Sequence, residues 1–266
     1  MAPDFDTLFQ AAARGLQAVL PAEDQDLGRI LQALLGSLSQ FDEVVVFAYR
    51  GKDRPIELFS TFAPEEYAVF VSLYQAGPYL LDPFYHQALA MRPGAWRMRE
   101  LAPDRFFSSE YRRTYYVQTG LAEELGYFVP CGGGISVVLS LMRKERSGTF
   151  ADREFALLRT AEPLVRALVQ RSWGDLSPRF DREAHGKRLR RSPLRSTDQV
   201  WDAMNLTKRE AAIVELVLQG HSSESIGLRL GISTGTVKVH RRNVYRKLGI
   251  TSQTQLMSIY LRGLSH

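Results

Sequence analysis

Gly231-Ile232-Ser233-Thr234-Gly235-Thr236-Val237-Lys238-Val239-His240-Arg241-Arg242-Asn243-Val244-Tyr245-Arg246-Lys247-Leu248-Gly249 reads as a tight turn followed by one amphipathic helix. Gly231 supplies the open dihedral of the turn, Ser233 is a good N-cap, and Gly249 a natural stop. Within Thr234 to Leu248, the residues Val237, Val244 and Leu248 recur on one side, with His240 or Arg241 between them. Lys238, Arg242 and Arg246 stand four apart on the other side, beside Val239.

Two shorter helices precede it. Thr207 with Glu210 three residues later has capping-box spacing, Ile213, Leu216 and Val217 form an apolar face, and Gly220 ends that helix. Ser223 to about Leu230 is the second, with Ile226 and Leu230 on one face. A basic stripe on a helix held against its predecessor by a short turn is the geometry that enters a major groove of double-stranded DNA. Lys238 and Arg242 suit guanine O6 and N7, and Val239 a thymine methyl. Thr236, Arg241 and Lys247 are better placed for phosphates, and Arg246 completes the stripe. An ordinary surface helix with scattered basic residues is the competing reading. Charge distribution leans towards DNA: Gly174 to His266 carries 16 Lys/Arg against 8 Asp/Glu, whereas the preceding part is mildly acidic.

Leu206-Thr207-Lys208-Arg209-Glu210, Gly220, Ile226, Leu230, Ile232-Ser233, Thr236-Val237-Lys238-Val239-His240 and Lys247-Leu248-Gly249 resemble, in order and spacing, the C-terminal module of LuxR-type regulators. The resemblance implies a four-helix module whose recognition helix meets bases through Lys238, Val239 and Arg242. It also implies a last helix, near Gln253 to Gly263, that contributes to dimer contact. Ser225 and Gly227 depart from the usual acidic residue and Ala. Gly227 is expected to weaken its helix by up to about 1 kcal/mol.

Upstream, Leu8 to Leu20 and Leu27 to Leu38 read as amphipathic helices. Glu43 to Tyr49 and Ile56 to Ser60 read as strands around a turn. Pro64 to Gln75 and Asp104 to Gly120 read as helices. Gly126 to Pro130 and Ile135 to Met142 read as strands joined by Gly132-Gly133-Gly134, and Asp152 to Arg171 as one long helix. Residues 174–199 lose the apolar periodicity and read as a linker; Lys187, Arg188, Arg190 and Arg191 within it either touch phosphates or are simply solvated. The expected fold is α+β: an N-terminal α/β/α sandwich, PAS/GAF-like with one antiparallel sheet, then an all-α helix-turn-helix module. The expected domains are 1–173 for sensing and dimerisation and 200–266 for DNA.

Tyr79-Leu80-Leu81-Asp82-Pro83, Trp96, and Gly126 with Pro130 four later resemble the ligand-binding domains of quorum-sensing LuxR relatives. The resemblance implies that Asp82 accepts a hydrogen bond from a ligand amide and that Trp96 walls the pocket; Tyr67 and Phe70 fall near the positions of further pocket aromatics. Independently, Tyr74, Tyr79, Phe84, Tyr85, Tyr111, Tyr115, Tyr116 and Tyr127 make this stretch aromatic-rich, as core or as pocket wall. Ligand contact is expected at Asp82, Trp96, Tyr79, Tyr74, Phe70, Tyr67 and Tyr115. Glu123-Glu124 reads as a solvated loop, with attraction of a cationic ligand as the alternative. Asp82 and His86 lack a third metal ligand, so no metal site or cofactor is expected.

With one cysteine, Cys131, no internal disulfide, no 18-residue apolar run and no signal-like start, a cytoplasmic chain without membrane association is expected. No nucleophile-base set or nucleotide loop suggests an enzyme. The expected function is a homodimeric DNA-binding regulator that senses a small metabolite. The alternatives are an acyl-homoserine-lactone receptor and a ligand-independent regulator whose first domain only dimerises or binds a protein.

Overall fold

The computed structural model describes residues 3–17, 23–113, 116, 120–189 and 197–264, without the side chains of 186–189 and 197–198. In it, α1 (Phe5–Gln17) and α2 (Asp24–Gly36) lead into β1 (Glu43–Arg50) and β2 (Ile56–Ser60). Helical turns from Pro64 to Leu81 reach α3 (Pro83–Leu89), followed by β3 (Gly94–Arg97), β4 (Leu121–Cys131) and β5 (Ile135–Lys144). Helices α4 (Asp152–Thr160), α5 (Glu162–Trp173) and α6 (Ser177–Leu189) follow. The C-terminal region comprises α7 (Thr197–Ala203), α8 (Lys208–Gln219), α9 (Ser223–Leu230), α10 (Thr234–Leu248) and α11 (Gln253–Leu264).

The five strands form one antiparallel sheet in the order β2-β1-β5-β4-β3. Strand alternation sorts its apolar residues into two cores. Val44, Val46, Ala48, Leu125, Tyr127, Val137 and Leu139 pack beneath α1, α2, α4 and α5. Val45, Phe47, Tyr49, Phe128, Val138 and Met142 face the opposite way, towards α3 and the C-terminal helices. This is the expected α+β sandwich followed by an all-α region.

Several local expectations are corrected. Asp152 to Arg171 is two helices, because Pro163 at the start of α5 has no N–H to continue α4. Asp104 to Gly120 is not one helix in its described part: Phe106–Ser108 and Glu110–Arg112 are separate turns, the second capped by Ser109 Oγ accepting from Arg112 N. β4 begins at Leu121, so Glu123 and Glu124 lie in a strand and are buried, not in a solvated loop. The strand β3, which carries Trp96, had no period signal. Within 174–199, α6 is docked: Leu176 and Phe180 are buried, and Arg50 lies over the Phe180 ring at 4.8 Å. Residues 190–196, with Arg190 and Arg191, lie outside the described residues, as do 18–20 of the first expected helix. The C-terminal region has α7 in addition to four expected helices, anchored by Trp201 stacking on Tyr260 at 5.1 Å.

No described helix is long and apolar enough to cross a membrane.

Candidate ligand cavity and nucleic-acid interface

The second core encloses a cavity of about 40 Å³. Its sheet side is set by alternation: Val45, Phe47 and Tyr49 from β1, Ser140 and Met142 from β5, Glu124 from β4. Phe70, Tyr74, Asp82, Phe84, Tyr111 and Tyr116 close it from the helical side. Gly126 makes room for this closure, since a Cβ there would stand 2.8 Å from Phe84 Cε2.

Its polar groups are mutually bonded. Tyr74 Oη donates to Asp82 Oδ2 at 2.7 Å and lies 2.8 Å from Tyr49 Oη, while Phe84 N donates to Asp82 Oδ1 at 2.8 Å. The same oxygen-bearing side chain caps α3, which fixes its direction. Tyr116 Oη donates to Glu124 Oε2 at 2.6 Å. Burial raises the Asp82 carboxyl above its ordinary range despite bonds from Tyr74, Phe84 and Tyr111. Burial raises Glu124 as well, and the neighbouring Asp82 charge adds to it, against bonds from Tyr116 and Ser140.

Of the expected pocket residues, the cavity brings together Asp82, Tyr74 and Phe70. Tyr79 stands one layer back, 6.2 Å from the Tyr74 ring and edge-on to Tyr85. Trp96 packs on Phe128 at 5.4 Å outside the lining, Tyr67 is exposed, and Tyr115 lies outside the described residues. Sequence reasoning missed Tyr49 as a pocket group and held Glu124 only as the alternative to a solvated loop. The i, i+2, i+4 recurrence of Val45, Phe47 and Tyr49 was the available signal for the first; the acidic pair Glu123-Glu124 was the signal for the second. Among the described residues no His, Cys, Asp and Glu group suits a metal ion.

The second candidate surface lies on α10. Thr207 and Glu210 form the expected capping box on α8, Gly220 closes it in the left-handed conformation, Ser222 caps α9 and Ser233 caps α10. Val237 and Val244 are fully buried and Leu248 packs against their core, so the opposite side of α10 faces solvent. Lys238, Val239, Arg242 and Arg246 are all exposed on that side, and Thr236 is exposed at its start. Two expected phosphate residues do internal tasks: Arg241 donates to Ser223 Oγ at 3.2 Å, and Lys247 pairs with Glu210 at 3.1 Å. These bonds tie α10 to α9 and α8. Gly227 is less a weak point than expected. A Cβ there would stand 2.7 Å from the Ile232 carbonyl oxygen, so the missing side chain lets the turn close.

The two surfaces share a segment. Arg105 N donates to Gly220 O at 2.9 Å, and Ser222 N donates to Asp104 Oδ1 at 2.9 Å, joining the α8–α9 turn to the sandwich. A Cβ at Gly220 would lie 2.8 Å from Phe106 Cα. The Phe106 ring in turn meets Tyr111 and Tyr116 of the cavity wall at 6.0 and 5.8 Å. At the same junction burial, with the Arg229 charge, holds His221 down to about 4, and its Nδ1 lies 2.9 Å from Ser225 Oγ.

Residues 204–260 match the model for bacterial regulatory proteins of the luxR family. An HTH-type transcriptional regulator in the exeN 3′ region of Aeromonas salmonicida is 33% identical over 188 residues, which cover 69% of this chain and 94% of that protein. The regulatory protein TdiR of Thauera aromatica is 44% identical over 61 residues, but these are only 27% of its length. Among solved structures, the VqsR LBD domain from Pseudomonas aeruginosa superposes with a TM-score of 0.52 at 26% identity, covering 62% of this chain and 94% of that one.

Proposed function

The chain belongs to the LuxR family of bacterial regulatory proteins and is a DNA-binding transcription regulator, and from that premise we propose that a small molecule in the Asp82 cavity controls it. Residues 1–173 are the sensing part and 200–266 the DNA-binding part. Lys238, Val239 and Arg242 read bases in the major groove; Thr236 and Arg246 flank them, and Arg241 and Lys247 hold the helix while lying within reach of phosphates. The protein acts as a homodimer on a two-fold site. Leu256, Met257, Tyr260 and Leu264 of α11 are buried within the chain, leaving the exposed side with Gln255, Ser258 and Arg262 for the second copy.

The segment from Asp104 to Tyr116 carries this reading, because it is at once cavity wall and dock for the α8–α9 turn. A molecule that repositions Tyr111 or Tyr116 acts on Phe106, and through it on Gly220. The second buried carboxylate and the small cavity weigh against an acyl-homoserine lactone. A ligand-independent regulator would leave the cavity unexplained.

Molecules carried through purification, identified by mass spectrometry, should raise the melting temperature when added back, by mass action on the folded state. They should also change affinity for promoter DNA in an anisotropy titration. If every molecule that raises the melting temperature leaves DNA affinity unaltered, control by the cavity is refuted.

A further inference from the structure

The cavity is acidic without a counter-charge. Asp82 and Glu124 are 6% and 5% exposed, and none of the described residues lining the cavity with them is basic. Two other acids, one buried and one half-buried, are treated differently. Glu123 sits against Arg97 and Arg99, and Glu154 is paired with Arg143 at 2.8 Å. A buried carboxylate normally has a cationic or metal partner, because desolvating an unpaired charge costs several kcal/mol. In the cavity only neutral donors are offered: the hydroxyls of Tyr74, Tyr111, Tyr116 and Ser140 and one backbone N–H.

The remaining wall is aromatic. Phe47, Tyr49, Phe70, Tyr74, Phe84 and Tyr111 turn rings around the same space. Such rings present negative faces that attract a desolvated organic cation, most strongly when water is excluded. About 40 Å³ is roughly three times the 10–15 Å³ that one buried water requires on the same measure, room for a head group of a few heavy atoms.

We propose that the ligand of this cavity is a small organic cation, an alkylammonium or guanidinium head, bound between Asp82 and Glu124 within the aromatic wall. The inference rests on the sensing function proposed above and names its ligand class. Tyr74 and Tyr116 hold the two carboxylates in place and keep their remaining lone pairs available to N–H donors. Because both carboxyls retain protons more readily than free acids, the cation displaces protons on binding. Tyr49, Tyr74, Tyr111 and Tyr116 also face them; burial and the acidic charges keep the hydroxyls of Tyr49, Tyr74 and Tyr116 neutral.

The test uses the full-length protein with ethylammonium, trimethylammonium and guanidinium chloride, against ethanol, tert-butanol and sodium chloride as neutral and ionic controls. Heat-denaturation scans and calorimetry in two buffers of different ionisation enthalpy are the readouts. At least one of the three cations should raise the melting temperature and release protons, while the controls do neither. Glu124→Gln should weaken its binding at least about tenfold, one carboxylate of a desolvated pair being worth that much. Glu124→Asp, which keeps the charge, should retain part of it and serves as the check on folding. Ethanol or tert-butanol acting as well as the cations, or cation binding indifferent to Glu124→Gln, overturns the ligand class. So does the absence of any shift with all three cations. These results leave the sensing function standing if molecules recovered from the purified protein still alter DNA affinity, and remove both if they do not.

Discussion

The cavity and α10 are opposite solutions to placing charge. In the cavity, two carboxyls sit in an apolar wall with no basic neighbour; on α10, Lys238, Arg242 and Arg246 stand in solvent with their helix's other side buried on Val237 and Val244. Burial makes the first pair chemically adjustable, as their raised carboxyl ranges show. Exposure leaves the second set open to a polyanion. On the proposed reading one region responds and the other adheres, and the segment at Asp104 to Phe106 joins Tyr111 and Tyr116 of the cavity wall to the α8–α9 turn of the helix-turn-helix.

Replacing Lys238 and Arg242 together by Ala should have the largest effect. If each contributes about 1–3 kcal/mol of base recognition, specific DNA affinity falls at least about thirtyfold and the salt dependence of binding flattens by about two counter-ions. Anisotropy titrations across a salt series measure both. The melting temperature should hold, since neither side chain is buried. Unaltered affinity and slope would remove α10 from the interface.

Gly220→Ala comes next. Gly220 has φ +95°, and its Cβ would meet the Phe106 backbone at 2.8 Å. The strained dihedral alone costs about 1–2 kcal/mol, and the collision forces the α8–α9 turn off the sandwich. Urea denaturation should show a loss of roughly 2 kcal/mol or more. A loss below about 0.5 kcal/mol would mean that the two regions are not docked as described.

The pH dependence of stability separates the two regions further. Carboxyls raised in the folded state keep their protons while those of the unfolded chain ionise, so Asp82 and Glu124 contribute a loss of stability as pH rises above about 4, complete once both have ionised in the folded protein. The slope is at most about 1.4 kcal/mol per pH unit for each. Glu154 has the opposite sign: the Arg143 guanidinium holds it down to about 2, so its contribution is present above the ordinary range and disappears as pH falls towards 2. His86 and His221, held down to about 4 by burial, contribute stability that grows as pH rises through the same range. The pair is therefore read from the difference between wild type and Glu124→Gln, which should fall in denaturant titrations from pH 4 to 8. A slope identical in the variant would place Glu124 outside the buried pair.

The same contrast explains what could be read from the chain. Thr207, Gly220, Gly231, Ser233 and Gly249 announce the helix-turn-helix because caps and left-handed stops act over three or four residues. Separate segments assemble the cavity: the β4–β5 register brings Glu124 beside Ser140, and Tyr116, eight residues earlier and outside both strands, reaches the same carboxyl. Asp82 was legible through its motif, since it also caps α3. Trp96 belonged to the same motif, yet its ring turns to Phe128, outside the lining. The break before α5 was written in Pro163, whereas α6 docks through Phe180 and through ion pairs of Arg179 with Asp24 and Asp181 with Arg50, which give no apolar period.

Asp104→Ala is the smallest change and the most direct probe of the link between the regions. Asp104 Oδ1 accepts from Ser222 N at 2.9 Å, and this bond, with the neighbouring His221, holds its carboxyl below the ordinary range although partial burial opposes it. Losing a charge-assisted bond at an exposed site should cost at most about 1 kcal/mol in overall stability. The informative quantity is cooperativity. With Arg105 N still donating to Gly220 O, the dock should weaken without parting. Hydrogen exchange should then report faster opening at Ser222 and the first turn of α9, while β1 and β5 keep their protection. Equal loosening of the central strands would mean that Asp104 supports the sandwich itself, and the Asp104–Phe106 segment could not then be the hinge between cavity and DNA.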